Sequence, residues 1–162
     1  MAIVSEKRGA TLGHGRMLKT FANFHTHTFF SDGIISPDGL VDRVYQTPGL
    51  SYFALTDHDT LSGIEPVFRA LIKRAARDDS PPLVFIPGIE LSLRHRPADL
   101  VVHLIGLFPW IDTDNYRDEL SKLDEVLGDY CRHCGHQRGQ WDLDARVRLA
   151  YRMNLDLSLI HI

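Results

Sequence analysis

The sequence predicts an α/β domain built on a parallel sheet or barrel, and three observations carry that expectation. Short apolar runs alternate with amphipathic stretches from residue 20 to residue 107. The apolar runs are continuous rather than alternating, as suits strands covered on both faces. Residues able to bind metal recur in order at or near the ends of those runs: His25, His27, Asp32, His58, Glu90 and His103. Strands separated by helices imply right-handed crossovers between parallel neighbours.

Phe21–Phe24 is the first strand candidate and runs into His25. Ser36-Pro37 then reads as an N-cap followed by Pro at the first helical position. Leu40, Val41, Val44 and Tyr45 give that helix one apolar face. Gly49 ends the connection, and Tyr52–Leu55 forms the second strand. Thr60 is placed to cap a long helix in which Leu61, Ile64, Phe68, Leu71, Ile72 and Ala75 recur at helical spacing. Pro81-Pro82 breaks it, Leu83–Ile86 is the third strand, and Val101–Leu107 a further one. After Asp114 the chain turns to charged helix, with Tyr116, Leu120, Leu123, Leu127 and Tyr130 in one stripe. A second helix is expected over 144–154. Residues 1–16 are Gly-rich and basic without periodicity, a disordered lead-in, and either Met1 or Met17 is the start.

The 162 residues suffice for one domain with a core. With 44% hydrophobic and 24% charged residues the composition is that of an ordinary soluble protein. A net charge of −3 gives no general electrostatic case for nucleic-acid or membrane binding, so an anionic substrate needs local positive charge. Bound metal ions supply such charge. No apolar run approaches a membrane span, and the first twenty residues lack the hydrophobic block of a secretory signal. The expected compartment is the cytoplasm, with no membrane and no obvious protein partner. Two cysteines are too few for a disulfide framework. Cys131 and Cys134, with His133 and His136 nearby, admit a zinc-knuckle reading, but one such pair without a second favours reduced thiols.

The chemistry lies in a handful of spacings. His25 and His27, two apart on a strand, point to one face, so both imidazoles reach one metal cluster. Asp32 follows in the loop. His58 comes directly after the second strand, Glu90 just after the third, and His103 falls within the fourth. Each has an ordinary structural reading: a lone histidine on an apolar strand is commonly a satisfied core residue. Asp57-His58-Asp59 also reads as a turn with a helix cap. Four strand ends carrying ligand types in succession favour the metal reading. Imidazoles mixed with carboxylates suit Mn, Zn or Fe better than Ca or Mg, and a bridging carboxylate suits a site of two or three ions. Asp57 and Asp59 read as groups that orient an imidazole or cap the helix rather than as ligands. Arg94, His95 and Arg96 stand close enough after Glu90 to grip a substrate phosphate, although a solvated loop is the simpler role.

Four segments in this order resemble the polymerase-and-histidinol-phosphatase (PHP) superfamily: His25-Thr26-His27-Thr28 running to Ser31-Asp32-Gly33, Thr56-Asp57-His58-Asp59-Thr60, Ile86-Pro87-Gly88-Ile89-Glu90, and His103-Leu104-Ile105-Gly106. The style is similar to the small stand-alone branch that includes a bacterial 5′-3′ exoribonuclease and nucleotide phosphatases. The resemblance implies the front half of a distorted (β/α)7 barrel over 17–110, with 111–156 a helical tail of the same domain or an insertion. It implies that His25, His27, Asp32, His58, Glu90 and His103 are ligands, with Glu90 bridging and His25, His27 and Glu90 catalytic. The implied reaction is hydrolysis of phosphoesters of a phosphorylated small molecule, nucleotide or short oligonucleotide by a metal-activated water. A non-catalytic metal-binding module and a histidinol-phosphate phosphatase are the alternatives.

The sequence departs from that pattern twice. Asn23 stands where the family usually has Asp, which puts a contact behind the ligands in doubt. The further histidine and late Asp-x-His expected after His103 are missing in suitable context. The last six residues, Leu157–Ile162, match a translation of a transposase sequencing-adapter end. The expectation is therefore that the reading frame ran into adapter DNA, that His161 is not biological, and that the chain is an inactive, truncated fragment.

Overall fold

The structure is a computed structural model that describes residues 20–76, 83–95, 100–123, 125 and 156–160. The expected lead-in over 1–16, Met17, both cysteines, Leu127, Tyr130 and the helix over 144–154 lie outside the described residues. Three strands open the fold: β1 (Phe21–Asn23), β2 (Leu50–Leu55) and β3 (Val84–His95). Between them lie α1 (Pro37–Tyr45) and α2 (Ile64–Ala75). β4 (Leu100–Leu107) and β5 (Asp156–Ile160) complete a five-stranded sheet in the order β1-β2-β3-β4-β5.

α1 starts where its local chemistry directs. The Ser36 side chain accepts from Gly39 N and Pro37 occupies the first turn, while Leu40, Val41 and Val44 are buried. Gly49 takes φ 85°, which turns the chain into β2. α2 starts later than expected, at Ile64, with Gly63 at its N-cap. Thr60 instead forms a local turn, its Oγ1 accepting from Ser62 N at 3.2 Å. Val67, Phe68 and Ala70 carry the buried face of α2, and Ile72 is exposed.

The sheet is mixed rather than wholly parallel. β1 pairs with β2 and β2 with β3 in parallel, but β3 pairs with β4 and β4 with β5 antiparallel. The reason lies in the connection from His95 to Leu100, which is far too short for a crossover but fits a hairpin. β3 changes partner within its length. Tyr52–Leu55 face Val84–Pro87, and from Gly88 onward β3 pairs with β4. Pro87 has no N–H to donate, and a Cβ on Gly88 would meet Gly106 O at 2.8 Å, so the pair suits a switch of neighbours.

The core lies between the sheet and the two helices, with Phe53, Leu55, Ile64, Val67, Phe68, Ile89, Leu91 and Phe108 fully or nearly buried. Phe68 packs edge-on against Phe85 and stacks on Tyr116 at 4.7 Å, which joins the helical segment over 116–123 to α2. Leu123 is also buried and Leu120 partly so. Among the described residues no helix is long and apolar enough to cross a membrane.

Candidate metal centre

The backbone after β1 continues alongside β2, Thr56 N donating to Thr26 O at 2.9 Å. That places His25 and His27 beside the Thr56–Thr60 turn. The turn in turn lies along β3: Glu90 N donates to Asp57 O and Asp59 N to Glu90 O, at 3.2 and 2.9 Å. Asp59 adopts φ 52°, unusual for a residue other than Gly, and its Oδ1 accepts from Ser92 N at 3.0 Å. The turn is thus pinned to β3 at both carboxylate-bearing positions. Glu90 therefore sits within β3, not after it as the apolar pattern suggested, and the antiparallel β4 brings His103 alongside.

The result is one buried carboxylate ringed by imidazoles. Glu90 is 1% exposed. His25 Nε2 and His27 Nε2 lie 2.7 and 3.0 Å from its Oε2, His58 Nε2 lies 3.8 Å from the same atom, and His103 Nδ1 contacts Oε1. Asp32 closes the open side, its oxygens 3.4 Å from His27 Nδ1 and 3.4 Å from His58 Nε2. The His27 and His58 rings stack with centroids 4.7 Å apart. All six sequence-expected ligands are brought together.

Electrostatics follow from this crowding. Burial pushes Glu90 up, but hydrogen bonds with His27 and His25 and the nearby His58 outweigh it and hold the carboxyl at about 2. The hydrogen bond to Glu90 raises His27 above its ordinary value against the effect of burial. His58 moves the other way: burial lowers it, although Glu90 and Asp32 oppose.

The residues fit divalent ions. Four imidazoles and two carboxylates offer neutral nitrogen and anionic oxygen donors side by side, the ligand types that borderline divalent ions take. The donors form three overlapping groups: His25, His27 and Glu90; His27, Asp32 and His58; and His58, Glu90 and His103, with ligand atoms within 4.8 Å of one another in each. His27, His58 and Glu90 each belong to two of the three groups, so each could be shared between neighbouring ions.

Asp57 touches none of these imidazoles. It is 1% exposed and accepts from Thr28 N and Thr28 Oγ1, both at 2.6 Å, and from Ser31 Oγ at 2.8 Å. It ties down the loop between His27 and Asp32, and so fixes where those two side chains stand. Gly33 lies against the same loop, where a Cβ would come within 2.6 Å of His27 C and O. Sequence reasoning missed Thr28, Ser31 and Ser92, whose Oγ lies 3.4 Å from His58 Nδ1. The hydroxyls at 28 and 31 stood inside the first motif and were the available signal. Asn23 Oδ1 accepts from His25 N at 3.1 Å, so the amide braces the first ligand's backbone. Arg94 and His95 belong to the end of β3, and Arg96 lies outside the described residues.

Comparison with known proteins places this arrangement. The PHP domain family matches residues 23–146. The 5′-3′ exoribonuclease Rnm of Salmonella typhimurium is 34% identical over 103 residues, covering 64% of this chain and 32% of the relative. A 3′,5′-nucleoside bisphosphate phosphatase of Chromobacterium violaceum is 33% identical over 89 residues, 52% of this chain and 26% of that protein. The chain thus spans about a third or less of the length of these curated relatives. A solved metal-dependent phosphoesterase from Bifidobacterium adolescentis aligns over 68% of this chain and 38% of its own, at 24% identity and a TM-score of 0.45. With the family match running from Asn23 through every residue of the cluster, the chain belongs to the PHP domain family.

Proposed function

We propose that this chain carries the front part of a metal-dependent phosphoesterase centre that acts on nucleotides or short nucleic-acid phosphates. The observation that carries the proposal is the buried Glu90 carboxylate with four imidazoles and Asp32 gathered around it. His25, His27, Asp32, His58, Glu90 and His103 would hold two or three ions of Mn, Zn or Fe. When bound, such ions supply Lewis acidity toward a phosphoryl oxygen and a nucleophilic water at neutral pH. The chain's own residues do the rest: Glu90 and Asp32 neutralise part of the metal charge and set the spacing of the donors. Asp57, through Thr28 and Ser31, and Asp59, through Ser92, hold the two ligand-bearing turns in register. The relatives named as an exoribonuclease and a nucleoside bisphosphate phosphatase support a nucleotide-type substrate.

The test is to count Mn and Zn per chain by elemental analysis and to measure phosphate release from a nucleoside 3′,5′-bisphosphate and from short 5′-phosphorylated RNA. More than one ion per chain is expected, with metal-dependent nucleotide binding and little turnover by this chain alone. Replacing His25 or His27 by Ala should lower both. A chain that takes up metal but neither binds nor cleaves nucleotide phosphates would overturn the enzymatic reading in favour of a metal-binding module.

A further inference from the structure

Phe29 and Phe30 interrupt the ligand loop, falling between His27 and Asp32, and are 55% and 37% exposed. Scattered surface apolar residues need no explanation, but these two do not stand alone. Phe24 and Ile34, on either side of the same loop, are exposed as well. The Phe29 and Phe30 rings touch each other, with centroids 4.9 Å apart, and paired exposed aromatics beside a candidate site are a mark of a binding surface.

The loop that carries the two rings is fixed rather than pliant. Phe29 N donates to Ile35 O at 3.0 Å, Phe30 N contacts Thr28 Oγ1 at 3.4 Å, and Ser31 N and Gly33 N both donate to Thr28 O at 3.1 Å. Thr28 and Ser31 are bound in turn to buried Asp57. Two exposed aromatic rings are therefore carried by a backbone that the Asp57 carboxylate and the turn around Thr28 fix beside the candidate ligands. Each ring is two residues from a ligand, so its Cα lies within roughly 7 Å of that ligand's Cα. That is the scale separating the phosphate of a nucleotide from its base.

The geometry points to Phe29, backed by Phe30, as a stacking platform for the nucleobase of a substrate whose phosphate sits at the metal centre. This assignment rests on the phosphoesterase reading above and gives it a specificity: nucleotides in preference to sugar phosphates, with little discrimination among bases, because every base has a π-face. The two ring centroids are 4.9 Å apart. A base inserted between them would need about 7 Å, two van der Waals contacts, so the base lies on the outer face of the pair.

The experiment compares Mn-dependent binding, by calorimetry, of a nucleoside 3′,5′-bisphosphate and of ribose 5-phosphate to the parent chain, to the Phe29→Ala/Phe30→Ala double variant and to Phe29→Trp. The double variant should bind the nucleotide about tenfold or more weakly while ribose 5-phosphate and bound Mn are unchanged. Phe29→Trp should keep or tighten nucleotide binding. Equal nucleotide affinity in parent and double variant would overturn the platform while leaving the phosphoesterase reading intact. Loss of ribose 5-phosphate binding in the double variant would show a collapsed loop instead of a lost platform, and would also overturn it. Failure of both ligands to bind the parent chain would overturn the phosphoesterase reading itself.

Discussion

Asp57 accepts three hydrogen bonds from a loop 26 to 29 residues earlier in the chain, and it does so out of water. An amide in its place keeps one oxygen for Thr28 N and Ser31 Oγ but presents N–H donors where Asp57 Oδ2 accepts, so the Thr28 Oγ1 bond must reverse and the charge that strengthens all three is lost. Removing hydrogen bonds to a buried charged group costs about 1.5–3 kcal/mol. Asp57→Asn is therefore expected to lower stability by about that much in urea unfolding with chelator present, where metal contributes nothing. A loss below about 0.5 kcal/mol would show that the loop stands without it. Sequence reasoning pointed to Asp57 as a supporting group but expected it to orient an imidazole or cap the helix. A carboxylate's nearest partners along the chain say little about which distant loop folds over it. Which residues gather around Glu90 was legible because an imidazole or a carboxylate carries its chemistry with it; the direction of a bracing side chain belongs to the fold.

At the scale of elements, β3 decides where the site lies. Its first part extends the parallel sheet and its second part, carrying Glu90 and Ser92, forms a hairpin with β4. Gly88 sits at the changeover with Gly106 O, Leu107 Cδ2 and Thr56 Cγ2 all within 3.0 Å of where a Cβ would be. Backbone cannot yield as a side chain can, so Gly88→Ala is expected to destabilise by about 1–3 kcal/mol and to speed amide exchange across both β3 and β4. Unchanged exchange in both strands would mean that the close approach is not structural. β1, α1 and β2 were legible from an N-cap, a Pro and continuous apolar runs. The hairpin was not read, because ending the third strand at Ile86 left fourteen residues before Val101, room enough for a crossover, whereas β3 runs on to His95. Glu90 was placed past the strand because Pro-Gly within an apolar run normally ends one.

For the whole molecule, the cluster around Glu90 couples stability to pH and, if it holds ions as proposed, to metal. Without metal, the depressed Glu90 carboxyl contributes stability that is present above its ordinary 4.5 and lost as pH falls toward about 2. His27, raised, contributes stability that is present below its ordinary 6.5 and lost as pH climbs through its higher folded value. The pair therefore helps the metal-free chain most between those two ordinary values. Metal competes with the His27 proton, so the rise in melting temperature on adding Zn or Mn should be large at pH 8 and shrink toward pH 6. A metal-induced shift independent of pH over that range would argue that His27 is not a ligand.

The donors come from residue 25 at one end to residue 103 at the other, on separate turns and strands. An ion held by His25, His27 and Glu90 would close the chain between residues 25 and 90 into a ring, much as a disulfide would, but through bonds that a chelator can undo. The entropy removed from the unfolded chain by such a closure grows only with the logarithm of the ring's length. Most of that constraint is thus imposed by the first ion to bridge a turn near β1 to the β3–β4 hairpin, and later ions find their ligands already tethered. Ion uptake by this cluster is in that sense a reversible cross-linking of the fold, and successive ions should bind the more readily for it.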